Sequence, residues 1–126
     1  MSSQFQTPRK TTVGLGSAKS GTGHFIQQRV TAIALVALVA WFAVAAATAI
    51  GSGYDGARDF ISNPVAAVLL LLFVSTAFYH MRIGMQVVIE DYIEGHGARI
   101  ALLILNTFVA AALWVAAAFS ILTIAL

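Results

Sequence analysis

Val30–Ile50 reads VTAIALVALVAWFAVAAATAI, 21 residues without a charge. At about 1.5 Å per residue such a helix covers the ~30 Å hydrocarbon core of a bilayer, so this stretch is a membrane span. Beyond this span, Gly51–Pro64 (GSGYDGARDFISNP) turns abruptly to Gly, Asp, Ser and Asn and predicts a short extramembrane loop, with Pro64 suited to the first turn of the next helix. Val65 to about Ile89 is a second span that carries His80 and Arg82 toward its end. A polar connection, Glu90–Arg99, leads to 27 uncharged residues from Ile100 to Leu126, the third span.

The composition agrees. Of the 126 residues 60% are apolar and only 10% charged, and the mean hydropathy is +0.88; a soluble surface so poor in charge would aggregate, which excludes a water-soluble globular fold. The absence of cysteine removes disulfides, thiolate metal sites, iron–sulfur ligation and cysteine nucleophiles from this chain. A pI near 9.4 comes from a net charge of only +2 with no basic run longer than Arg9-Lys10, so no nucleic-acid surface is present. The basic residues act instead as topology signals. Arg9, Lys10, Lys19 and Arg29 precede the first span, Arg82 and Arg99 flank the second connection, and Arg58 alone lies in the first loop. The positive-inside rule then predicts an all-α integral membrane protein of three transmembrane helices, with a cytoplasmic N-terminus and a periplasmic C-terminus. Residues 1–29 are expected to form a cytoplasmic tail and 30–126 the anchor domain, and a signal peptide is not expected, because some 29 polar residues precede the first apolar run and no basic n-region abuts it. Within the tail, Gly14, Gly16, Gly21 and Gly23 imitate a phosphate loop, but Thr22 stands where its lysine belongs and no strand precedes it.

Chemistry concentrates in Tyr79–Arg99, YHMRIGMQVVIEDYIEGHGAR. An ionisable group inside a span is costly and marks a functional position by default. At about 100° per residue His80, Gly84, Val87 and Asp91 share one helix face. A histidine followed one turn later by a glycine offers an imidazole beside a gap, as a flat macrocycle ligated through its metal requires. The simpler alternatives are an interhelical hydrogen bond for His80 and close helix packing for Gly84. Asp91 and Tyr92 lie about 17 to 18 Å further along the helix, at the interface. Tyr92 is either an interfacial anchor or a hydrogen-bond donor to a quinone carbonyl, with Asp91 able to orient it or accept a proton. Arg82 points about 200° from His80 and reads as a snorkelling side chain. Arg29 is either a positive-inside anchor or a partner for a propionate at the same interface. His24 reads as an ordinary interfacial histidine. His80 is the one histidine within a span, so a bis-histidine site needs its second ligand from another chain.

The pattern His80, three residues, Gly84, six residues, Asp91-Tyr92 resembles the second-span motif of the hydrophobic membrane anchor of succinate dehydrogenase, and Gly14–Leu35 (GLGSAKSGTGHFIQQRVTAIAL) is similar to the start of the first span in the alphaproteobacterial branch of that family. The resemblance implies a multi-pass subunit of the bacterial inner membrane in succinate:ubiquinone oxidoreductase, complex II of electron transport and the tricarboxylic acid cycle. This subunit would hold the flavoprotein and iron–sulfur subunits, which carry FAD and the clusters, and share one haem b with a second, cytochrome b-type anchor subunit. It implies His80 as an axial ligand of the haem iron, Gly84 as the residue packed against the haem, Arg29 near the propionates, and Tyr92 with Asp91 at the ubiquinone. No part in succinate oxidation itself, no activity alone and no nucleic-acid partner are expected, and membrane lipids surround the anchor. Arg82 departs from the uncharged, often aromatic residue of the family, and its role is open. A fumarate reductase anchor is the alternative; a small three-span transporter or structural protein is a more distant one.

Overall fold

The computed structural model describes residues 19–126, with side chains from Thr22 onward. The phosphate-loop imitation at Gly14 and Gly16 and the tail up to residue 18 lie outside the described residues. Four helices follow one another: α1 Lys19–Gly51, α2 Gly53–Ser62, α3 Pro64–Tyr92 and α4 His96–Ala125. Among the described residues there is no strand, and three of the helices, over Thr22–Gly51, Pro64–Tyr92 and His96–Ala125, are long and apolar enough to cross a membrane.

The expected spans are all present, and two boundaries differ. Helix α1 starts at Lys19 rather than near Val30, because Gln27, Gln28 and Arg29 are good helix formers that continue the turn beyond the apolar run. The segment between the first two spans is the ten-residue helix α2 rather than a loop. Its sequence is amphipathic: Asp55, Arg58, Asp59 and Ser62 recur at three- and four-residue steps along one side, with Tyr54, Ala57 and Ile61 on the other. Such a helix suits the membrane interface. Gly53, at φ 74°, allows the reversal between α1 and α2.

Asn63 ends α2 and starts α3. Its side-chain oxygen accepts from the backbone N–H of Val65 at 3.0 Å and of Ala66 at 3.2 Å, and Pro64 supplies the first helical residue, where a missing N–H costs nothing. At the other end the Arg99 Nε donates to the Ile93 carbonyl at 2.9 Å, which fixes the short α3–α4 turn.

Helix α3 is the middle of the bundle. It packs on α1 along one side and on α4 along the other, and among the described residues α1 makes no close approach to α4. The buried apolar residues follow from that position: Ala66, Ala67, Leu70, Ile83 and Ile89 are all on α3, joined by Ala49 of α1 and Ala110 of α4. Small residues there let the helices approach closely, which matters in lipid, where apolar burial alone gives no drive to associate. Phe42 of α1 stacks on Phe73 of α3 with ring centroids 4.9 Å apart. The α3–α4 seam is tied by polar bonds: the Trp114 indole donates to Ser75 Oγ at 2.8 Å, and the Asn106 amide donates to the Arg82 carbonyl at 2.9 Å. Each is worth roughly 0.6 kcal/mol in a membrane.

Candidate functional site

Packing of α1 against α3 brings His80 to the first turns of the first span. The Thr31 hydroxyl lies 2.9 Å from His80 Nδ1 and 2.7 Å from the Gln27 carbonyl. A hydroxyl has one proton. Given to the carbonyl, which can only accept, it leaves the oxygen to accept from Nδ1–H. The neutral imidazole is thereby held in the tautomer whose Nε2 carries the free lone pair, the form in which histidine ligates a metal while its other nitrogen donates to a nearby oxygen.

What meets that lone pair is Gln28, whose Nε2 lies 3.4 Å from His80 Nε2, a long and weak donor contact. The same amide occupies the space beside Gly84, where an added Cβ would come within 3.3 Å of Gln28 Nε2. This notch beside Gly84 is filled by Gln28. Gln28 is poorly held there, because its Oε1 is buried with no hydrogen-bond partner, an arrangement that costs about 1 to 3 kcal/mol. Its displacement by a better-matched group is thus inexpensive.

Beside the imidazole an open groove of about 470 Å³ runs along α1, lined by Ala32, Leu35, Val36, Val39, Ala40 and His80. Apart from the imidazole the lining is apolar, and the small Ala32 and Ala40 side chains leave room along it. Arg29, one turn before Ala32 and two before Val36, lies on the same helical face at the groove's end. It is exposed, with its guanidinium 5.1 Å from the centre of the Phe25 ring. An imidazole with a free Nε2, a flat apolar wall and a cation at the interfacial end form a donor set that fits one side of a haem. No group of three or more His, Cys, Asp or Glu able to hold a bare metal ion occurs among the described residues.

Asp91 and Tyr92 are the last residues of α3, and Tyr92 is 80% exposed. The fold does not bring them to His80; along a straight helix Tyr92 is about 18 Å away. Nor does either make a side-chain hydrogen bond among the described residues, so the phenol is free to donate to another molecule. His24 lies half-buried on α1 and His96 is exposed at the start of α4, and neither joins the His80 cluster. The cluster contains two residues that spacing did not single out, Thr31 and Gln28. The available signal was Thr31 itself, one of the few hydroxyls in an otherwise apolar run, three residues after Gln28 on one helix face.

Residues 3–123 match the family described as succinate dehydrogenase/fumarate reductase transmembrane subunit. The chain is 34% identical over 118 residues to the succinate dehydrogenase hydrophobic membrane anchor subunit of Paracoccus denitrificans, which covers 94% of this chain and 91% of that one. It is 40% identical over 89 residues to the protein of the same name from Rickettsia bellii, 71% of each chain. It is also 30% identical over 95 residues to the succinate dehydrogenase membrane anchor subunit of Reclinomonas americana, 73% of this chain and 79% of that one. No solved structure matches it. A family match over nearly the whole length, with three apolar helices long enough to cross a membrane, places the chain in the succinate dehydrogenase/fumarate reductase transmembrane subunit family.

Proposed function

We propose that the chain is one of two membrane anchors of a succinate:ubiquinone oxidoreductase, holding a flavoprotein and an iron–sulfur subunit at the bilayer, sharing the ligation of a haem b and contributing to the ubiquinone-reduction site. The observation that carries the reading is the Thr31–His80 pair, an imidazole oriented through Nδ1 whose Nε2 meets only a long Gln28 contact, beside an apolar groove in a chain of this family. His80 would hold the haem iron through Nε2, together with a histidine of the second anchor. Thr31 keeps the ring oriented, Gln28 turns out of the notch beside Gly84, and Arg29 neutralises a propionate at the groove's end. Haem held in this way supplies a one-electron carrier inside the membrane.

Tyr92 donates its phenolic proton in a hydrogen bond to a ubiquinone carbonyl, and Asp91 orients it or passes a proton. A quinone is amphipathic and dissolved in lipid, so its site must join an apolar approach to a few polar groups near the electron donor. The end of α3 offers that combination, and the surplus of basic residues on the same side supports a cytoplasmic position. The names of the curated relatives favour succinate oxidation over fumarate reduction.

The test is co-expression with the flavoprotein, iron–sulfur and second anchor subunits. With this chain present, succinate:ubiquinone activity is expected in the membrane fraction. Without it, the catalytic pair should become soluble and still oxidise succinate with an artificial acceptor. Membrane attachment and quinone reduction that persist without this chain would contradict the reading.

A further inference from the structure

On the side of α3 away from His80, a second groove of about 240 Å³ lies between α3 and α4. Its polarity is graded along the helices. Arg82 and Thr107 form the end nearer the α3–α4 turn. Phe78, Ala110 and Ala111 continue toward the bilayer centre, and Ser75 with Trp114 closes the far end through their hydrogen bond. Arg82 lies ten residues before the end of α3, about 15 Å inside it, where a guanidinium is expensive unless something compensates it. Among the described residues its side chain makes one hydrogen bond, Nε to Thr107 Oγ1 at 3.3 Å, and no carboxylate pairs with it. The paired Nη groups, which suit a bidentate oxyanion, have no protein acceptor among the described residues.

We propose that this groove binds the phosphate of an anionic phospholipid at Arg82, with one acyl chain lying along Phe78, Ala110, Ala111 and Trp114. Three features select this occupant. The cation stands at the interfacial end and the apolar wall toward the midplane, as head and tail are arranged in a leaflet. Arg side chains snorkel toward the headgroups and draw phosphates inward, so the depth is within reach. And because Arg82 points about 200° from His80, the groove faces away from the partner that shares the haem, a step that rests on the proposed function. The Asn106 amide pins the Arg82 backbone to α4 and the Thr107 hydroxyl accepts from its Nε, so the guanidinium is positioned at the α3–α4 seam.

The experiment uses the whole complex, purified in detergent with its partner subunits, washed free of loosely held lipid, and offered phosphatidylglycerol or phosphatidylcholine in mixed micelles. Bound lipid and quinone are counted by native mass spectrometry. The wild type should retain phosphatidylglycerol in preference to phosphatidylcholine. Arg82→Gln should lower that retention about tenfold, in line with the loss of a charge-assisted hydrogen bond, and Arg82→Lys should keep part of it. Ala111→Phe, which fills the apolar part and leaves Arg82 in place, should also lower it, so the result does not hang on one variant. Equal retention of the two lipids by the wild type, unchanged phosphatidylglycerol in Arg82→Gln and Ala111→Phe, or loss of bound quinone in place of lipid would each overturn the proposal. The Soret band, recorded on the same samples, reports the His80 site separately.

Discussion

Thr31 Oγ1 lies 2.9 Å from Nδ1 of His80, a residue 49 positions later in the chain, while its own proton goes to the Gln27 carbonyl 2.7 Å away. One hydroxyl on the first span thus decides which nitrogen of an imidazole on the second is free. Thr31→Val keeps the branched shape and removes the acceptor. In the assembled complex it should lower haem affinity by about 10-fold or more, the usual effect of losing such a supporting contact. The readout is Soret amplitude per complex during titration with haem; the same affinity as wild type would remove Thr31 from the site.

Gly84 is the second point at which geometry makes a graded forecast. An alanine Cβ there meets only the end of the flexible Gln28 side chain, at 3.3 Å, so Gly84→Ala should be tolerated with haem retained. Gly84→Leu fills the notch from which Gln28 has to withdraw, and haem content should fall with assembly preserved. Wild-type haem content in both variants would mean that no macrocycle lies against this turn.

Tyr92 makes a separate forecast because it is exposed and about 18 Å from His80. Tyr92→Phe keeps the ring and removes the donor. Succinate:ubiquinone turnover should drop by roughly 10²-fold, within the range for losing a positioned proton donor, while succinate oxidation with a soluble acceptor is unchanged. Equal kcat and KM for quinone in the two proteins would leave Tyr92 an interfacial anchor and nothing more.

Asn63 tests the fold without touching the chemistry. Its side chain accepts two backbone N–H groups at the start of α3, and Asn63→Ala should cost about 1 kcal/mol of stability. Thermal unfolding of the complex should begin at a lower temperature with the haem spectrum unaltered. An unchanged unfolding profile would mean that neighbouring contacts already hold the α2–α3 corner.

Sequence and structure contribute unequally to these forecasts. The three spans are legible in the sequence because charge-free runs of helix length have little alternative to a membrane. The start of α1 at Lys19 is not, since helix propensity continues past the apolar run and hydropathy registers only the lipid-facing part. Helix α2 resembles a loop in sequence because its Gly, Asp and Ser content outweighs the three- and four-residue spacing of its polar side. At the site, His80 and Gly84 are visible from their spacing on one helix. Thr31 and Gln28 are not, because their importance comes from the packing of α1 on α3, which joins them to His80 across 49 and 52 residues of sequence. Arg82 is an oddity in the sequence, and only the groove beside it gives the oddity a shape.

The most direct test of the central claim, that His80 ligates haem b through Nε2, is the low-temperature electron paramagnetic resonance spectrum of the assembled complex with His80→Ala. The low-spin signal of an iron between two imidazoles should be lost, leaving either a high-spin haem or none, while the subunits remain associated. A low-spin bis-imidazole signal identical to wild type in that complex would contradict the account.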